Sequence, residues 1–164
     1  MGSTGVTGIV IAVAVLALVL YRQTVARPVS PRRLIILPGI LIVLGVIALS
    51  NVHHGHLTGT EVAYVAADLV WSVASGVGRG LCVRVFSRDG VMWRQGTAVT
   101  IALWLVSIAG RVVIAVLASR AGVADISNAA LDLSFGLSLL CQNGMVALRG
   151  QRLGIPFAID APRR

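Results

Sequence analysis

The chain has 164 residues, 57% of them hydrophobic and only 12% charged, with a mean hydropathy of +0.90, against about 45–50% and about 25% for soluble domains. Its formal charge of +8 comes from fourteen basic residues, all Arg, scattered between apolar runs. That scatter argues against nucleic-acid binding, which needs the charge gathered on one face, and the composition argues for a bilayer as solvent. Arg without Lys, beside abundant Ala, Val and Gly, points to a GC-rich bacterial source.

Taken in chain order, five stretches are long and apolar enough to be membrane-spanning helices, given that a bilayer core needs roughly 17 to 25 such residues. They run over about 5–21, 34–50, 62–80, 98–118 and 127–148. Backbone amides in hydrocarbon must be bonded within their own segment, so each is expected to be an α-helix. The first, Gly5 to Tyr21, has no preceding positive charge and is followed by Arg22 and Arg27, the pattern of an uncleaved anchor with its N-terminus outside. The second span carries Pro38 in its first turn, where a missing amide proton does little harm.

The loop after the second span gathers His53, His54 and His56, with Glu61 nearby. Imidazoles suit transition metals and serve as haem axial ligands, which makes these three the candidate metal residues. Their spacing matches no established motif, and solvated loop histidines are the competing reading; no cofactor is predicted from them.

After the third span, the run Gly76 to Gly80 superficially resembles a phosphate-binding loop but follows no strand, and reads as packing and helix termination. The stretch LCVRVFSRDGVMWRQ (Leu81 to Gln95) alternates apolar and polar residues around Asp89-Gly90, a β-hairpin signal. Such a hairpin either closes the turn between the third and fourth spans or docks on anionic headgroups or a partner. From Gly150 on, Pro156 and Pro162 suggest an irregular tail. The expected organisation is one transmembrane domain over 1–150 and a cytoplasmic tail over 151–164.

Arg is retained on the cytoplasmic side of a membrane. The segment from Arg22 to Arg33 has four Arg and no acid, the hairpin segment carries Arg79, Arg84, Arg88 and Arg94 against Asp89, and the tail carries Arg149, Arg152, Arg163 and Arg164 against Asp160. These belong inside. The loop from Asn51 to Glu61 has no Arg, and Arg120 is balanced by Asp125, so those belong outside. The reading is an all-α integral membrane protein with five spans, N-out and C-in, multi-pass in a bacterial cytoplasmic membrane, with a short cytoplasmic β-hairpin between the third and fourth spans. Its first partner is the lipid bilayer; another membrane protein is a candidate partner.

Ionisable residues inside spans are costly and face the protein interior. Asp68, Arg111 and Asp132 fall at one depth, each about 8–10 Å below the outer end of its helix at about 1.5 Å per residue. Helical phase places Asp68, Ser72, Ser75 and Arg79 on one stripe of the third span, Thr100, Trp104, Ser107 and Arg111 on one stripe of the fourth, and Asp132, Gly136 and Asn143 on the fifth. Small residues at Ser72, Gly76 and Gly80, and at Ala130, Ser134 and Ser138, allow close contact. The three charged residues therefore form a candidate intramembrane polar cluster. It is either an ion, proton or small-ligand site with Arg111 as an anion clamp, or a salt bridge that fixes helix register. Cys82 and Cys141 stand alone, without a C-x-x-C pair, and read as packing residues.

At RPVSPRRLIILPGIL (Arg27 to Leu41), GRGLCVRVFSRDGVMWRQGT (Gly78 to Thr97) and ALWLVSIAGR (Ala102 to Arg111), the chain resembles the CcdC-like family of small bacterial membrane proteins. The hairpin followed by the Trp104 to Arg111 spacing is the most specific part of the likeness. The resemblance implies an association with cytochrome c biogenesis and supplies no catalytic residues.

No Ser/His/Asp set, H-E-x-x-H helix or Walker loop is present. The expected function is that of a non-enzymatic accessory or small-solute-handling membrane protein, the alternative being a redox or haem-handling helper in cytochrome c maturation; a Soret band or stoichiometric metal in the purified protein would separate the two. The topology has its own test. With Ser3 and Ala161 each replaced by Cys, an impermeant thiol reagent is expected to reach them from opposite sides of the membrane, and labelling of both from one side would refute five spans.

Overall fold

The computed structural model describes residues 25–52 and 58–158. The first predicted span and all three His residues lie outside the described residues. In chain order the elements are β1 (Arg27–Pro28), α1 (Pro31–Val52), α2 (Gly59–Cys82), β2 (Arg84–Arg88), β3 (Val91–Gln95), α3 (Ala98–Arg120), α4 (Ala124–Ala129) and α5 (Leu131–Arg152). The protein is mostly helical, and three of its helical segments, Pro31–Val52, Ala98–Arg120 and Ala124–Arg152, are long and apolar enough to cross a membrane. α2 is as long as these, but Glu61, Asp68, Arg79 and its many Ser and Gly residues leave it more polar.

Local chemistry sets the helix ends. Thr58 and Glu61 form a reciprocal capping box at the start of α2, with Glu61 N–H donating to Thr58 Oγ1 and Thr58 N–H donating to Glu61 Oε2 at 2.8 Å. Thr97 and Thr100 do the same for α3. Such caps satisfy amides that have no partner inside the helix. The C-terminal carbonyls of α2 are met from another helix: Arg149 Nη1 on α5 donates to Gly80 O, Leu81 O and Val83 O at 3.1, 2.6 and 2.8 Å. A guanidinium is well matched to that end, where the helix dipole is negative.

α5 is the hub, packing along both α1 and α2, while α3 packs mainly on α2. Small residues permit the close approach. A Cβ at Gly45 of α1 would run into the Leu133 backbone, one at Gly136 into Ile42, one at Gly76 into the Ser138 carbonyl and one at Gly80 into Met145 and Gln142. Gly76 and Gly80 are thus contact points, as the packing reading requires, whereas Gly78 faces open space and the run does not terminate the helix, which continues to Cys82.

The fifth predicted span is broken. α4 ends at Ala129 and α5 begins at Leu131, with Ala130 capping one and starting the other. Pro38 also differs from expectation, because α1 starts at Pro31 and Pro38 sits two turns inside it. A proline there has no amide proton to donate to the carbonyl of residue 34. That carbonyl, Leu34 O, instead accepts from Asn143 Nδ2 at 2.8 Å, and Asn143 Oδ1 accepts from Arg94 Nη1 at 2.9 Å. One missing backbone bond in α1 is therefore replaced by a side-chain bond from α5, which in turn holds an arginine of the sheet.

The predicted hairpin is present: β2 and β3 pair antiparallel from Arg84↔Gln95 to Arg88↔Val91. Asp89 and Gly90 both take positive φ, 55° and 74°, the two-residue turn that matches strand twist. The sequence reading missed a third strand, β1, which pairs with β3 through Arg27↔Arg94 and Pro28↔Trp93 to give the order β1-β3-β2. The described part of the tail after α5 is irregular, as expected, and is tied to the sheet: Met92 N–H donates to Pro156 O at 2.8 Å and Ala158 N–H donates to Val29 O at 3.0 Å. Beneath the sheet lies a small apolar core of Val29, Leu34, Val83, Met92 and Val146.

Elsewhere the usual order of a soluble fold is inverted. Ile36, Leu37, Ile40 and Val43 on α1, and Val106, Val112 and Val113 on α3, are more than half exposed, whereas the helix contacts bury Ser72, Arg79, Ser107, Arg111, Ser134, Ser138 and Gln142. Exposed apolar surface on this scale, on helices long enough to cross a membrane, suits contact with lipid.

Asn143→Leu should lower stability in detergent by about 2 kcal/mol, because it leaves the Leu34 carbonyl without a donor and Arg94 without an acceptor. Adding Pro38→Ala, which restores an amide that can bond Leu34 O, should recover part of that loss in the same unfolding measurement. No recovery would show that the Leu34 carbonyl is not what Asn143 serves.

Candidate functional site

The polar residues of α2, α3 and α5 meet along one seam, and their roles follow from what each side chain can donate or accept. Ser72 Oγ donates to the Asp68 carbonyl at 2.6 Å, and Ser134 Oγ donates to the Leu131 carbonyl at 3.0 Å. Each hydroxyl proton is thus used on its own helix, leaving oxygen lone pairs facing the seam. Arg111 of α3 takes both: Nη2 donates to Ser72 Oγ at 2.8 Å and Nη1 to Ser134 Oγ at 2.9 Å. Its guanidinium also lies 5.0 Å from the Phe135 ring centre.

Seven residues along α2 from Ser72, about 10 Å by helix rise, a second guanidinium is also held by uncharged acceptors. Arg79 is 1% exposed; its Nε donates to Gln142 Oε1 at 3.0 Å and its Nη2 donates to Ser138 Oγ. It lies 4.2 Å from the Trp104 ring centre, a cation–π contact. Trp104 and Phe135 stand 5.9 Å apart, so an aromatic pair fills the space between the two cations. Hydroxyls connect the levels: Ser107 Oγ donates to Ser75 Oγ at 3.2 Å, and Ser75 Oγ lies 3.5 Å from Ser138 Oγ.

The predicted cluster is divided by this geometry. Asp68 and Arg111 are both buried, 5% and 9% exposed, whereas Asp132 is exposed on the first turn of α5. Among the described residues no ion pair joins Arg111 to Asp68 or Asp132, and the one that forms is the exposed Arg88–Asp89 pair at 3.7 Å. Arg111 was expected to meet a carboxylate and meets two serines, because Asp68 lies a full turn from Ser72 on α2; it acts on Arg111 by charge, not by contact. The stripe Thr100, Trp104, Ser107 and Arg111 is the buried face of α3. On α5 the face that meets Arg111 and Arg79 carries Ser134, Ser138 and Gln142, and the first two of these sequence reasoning treated as packing residues only. Gln142 went unnoticed, although it continues their four-residue spacing.

The balance of this seam is positive and rich in donors. Two guanidiniums are buried against one buried carboxylate. Among the described residues, Arg79 Nη1, Trp104 Nε1 and Asp68 Oδ2 in the seam are buried without a hydrogen-bond partner, as is Trp93 Nε1 in the sheet. Native structures rarely leave such groups unmet. Two free N–H donors on either side of one cation–π contact suit an acceptor, an anion or a carbonyl oxygen. No group of three metal-ligating side chains occurs among the described residues, and Cys82 and Cys141 are free thiols.

Fold and seam together define a class: a helical protein with, among the described residues, three helical segments suited to a membrane, a polar interior, and a small sheet at one end. No protein-family model, curated protein or solved structure matches the chain.

Arg111→Met should lower the unfolding free energy in detergent by about 3 kcal/mol, since it leaves the buried Asp68 carboxylate without a compensating charge. Adding Asp68→Asn should restore part of it. If the two losses simply add in a double-mutant cycle, the residues are not coupled.

Proposed function

We propose that this chain is a non-enzymatic, multi-pass membrane protein that holds a small anionic or polar solute within the seam, as an accessory or solute-handling component. The observation that carries the reading is the pair of buried guanidiniums, Arg79 and Arg111, held by serines and Gln142 instead of carboxylates. Two buried guanidiniums set against the single buried carboxylate of Asp68 leave a surplus of positive charge, which points to a partner of opposite sign. Arg111 and Arg79 would serve as successive positions along the seam, the hydroxyls of Ser107, Ser75 and Ser138 offering both donors and acceptors between them.

The proposed topology is five spans in a bacterial cytoplasmic membrane, N-out and C-in. It is supported by the gathering of Arg27, Arg33, Arg84, Arg88, Arg94 and Arg152 at the sheet end, where α1 begins, α2 ends, α3 begins and α5 ends; among the described residues the opposite end holds Arg120 against Glu61 and Asp125. That asymmetry is the one expected of a cytoplasmic face. Kinship with the CcdC-like family rests on the three sequence segments quoted above.

Trp104 reports on the seam directly. Iodide, a small anion that quenches indole on contact, should quench the fluorescence of the purified protein with a saturable component. Trp104→Phe should abolish that component, and Arg79→Gln should weaken it by about tenfold in apparent affinity, the equivalent of one charge-assisted hydrogen bond. Purely linear quenching in the unaltered protein, or a saturable component indifferent to both substitutions, would count against an anion in the seam.

A further inference from the structure

A second concentration of positive charge lies outside the seam, at the junction of the sheet with α1. Arg27 and Arg94 are cross-strand partners in the β1–β3 pair. Like charges directly opposite one another destabilise a sheet. Arg33, on the first turn of α1, joins them in lining a pocket of about 230 Å³ whose walls include no acidic residue. Burial first, and the charge of Arg27 second, push the Arg94 guanidinium below its ordinary pKa, which says that its charge is poorly compensated by the protein. Nevertheless Arg94 is held in place: Asn143 accepts from it, and Asn143 is in turn fixed to the Leu34 carbonyl that Pro38 leaves open.

Beside it is an apolar pocket of about 300 Å³ between α1 and α5, lined in part by Leu34, Ile35, Leu140, Ala147 and Phe157. Leu34 belongs to the walls of both, and Asn143, which orients Arg94, lines the apolar one. A charged recess and an apolar recess sharing a wall at the end of a membrane helix match the two halves of one amphiphile.

We propose that this junction is a binding site for an anionic phospholipid, its phosphate held by Arg27, Arg33 and Arg94 and an acyl chain lying in the apolar pocket along Leu34, Ile35 and Leu140. Guanidinium forks suit phosphate oxygens, and basic recesses beside membrane helices on the cytoplasmic side are where anionic headgroups collect. A bound phosphate removes the repulsion between Arg27 and Arg94 and stabilises the pairing of β1 with β3. Free phosphate shares the headgroup chemistry but has no use for the apolar pocket, which is why the lipid is the occupant the two recesses favour together.

The full chain in detergent, supplied with phosphatidylglycerol and phosphatidylcholine of identical acyl chains, allows a direct test by native mass spectrometry. One phosphatidylglycerol should be retained per chain, with a preference over phosphatidylcholine of about tenfold or more. Arg27 and Arg33 are exposed, so Arg27→Gln with Arg33→Gln should leave the fold intact and reduce the preference by about tenfold. Arg84→Gln with Arg88→Gln removes equal charge from β2, outside the pocket, and should leave the preference unchanged. Equal retention of the two lipids, or equal loss in both double variants, would overturn the site. So would stabilisation by inorganic phosphate with no lipid retained, which would assign the basic recess to a soluble anion.

Discussion

In hydrocarbon no water is present to satisfy a polar group, so each buried donor, acceptor or charge has to find its counterpart within the protein. Much of this structure follows from that constraint. The outward faces of α1 and α3 are left to Val, Ile and Leu, and the inward faces carry serine, glutamine, asparagine and arginine. Ser72 of α2 and Ser134 of α5 can face the Arg111 guanidinium because their own protons are spent on carbonyls one turn back. Pro38 breaks the rule locally, and the repair, Asn143, ties α1 to α5 and to the sheet. A substitution at one of these positions is therefore felt on a neighbouring element.

The sheet end obeys a different logic. There the chain leaves the apolar zone, the core becomes aliphatic again under Val29, Val83 and Met92, and the arginines crowd together. Arg149 shows how the two zones are joined: it extends from the last turns of α5 to the open carbonyls at the end of α2, fixing the exit of one helix by the exit of another. The hairpin is more than a turn between helices, because β1 and the 155–158 segment build on it and it becomes the platform on which α1 and α5 end.

Much of the helical architecture was legible in the residues because lipid-facing stretches are long and their polar stripes repeat with the helical period. The hairpin was legible for a similarly local reason: Asp-Gly is the turn that two twisted strands require. β1 was not, since two residues, Arg27 and Pro28, carry no periodic signal and gain their pairing only from β3, sixty-odd residues away in sequence. The break at Ala130 was hidden because both α4 and α5 are apolar enough to read as one run. At the site, phase placed Asp68 and Arg111 on inward faces, but not their partners. Charge suggested that Arg111 would seek Asp68 or Asp132; one hydroxyl on each of two other helices, invisible to any argument from charge, is what it reaches.

The stitching of the C-terminal segment onto the sheet has a consequence for how the molecule assembles. β1 precedes β3 in synthesis, and the Pro156 and Ala158 contacts that complete their surroundings come after both. Contacts of such wide sequence separation form late, because closing a long loop costs entropy before any bond rewards it. The helices consequently enter the bilayer before their shared platform exists, and the relay from Leu34 through Asn143 to Arg94 is completed only when α5 arrives. α5 and the segment after it thus act as a closing clasp for the described elements, and a chain interrupted before residue 143 would leave α1 with an open carbonyl at Leu34.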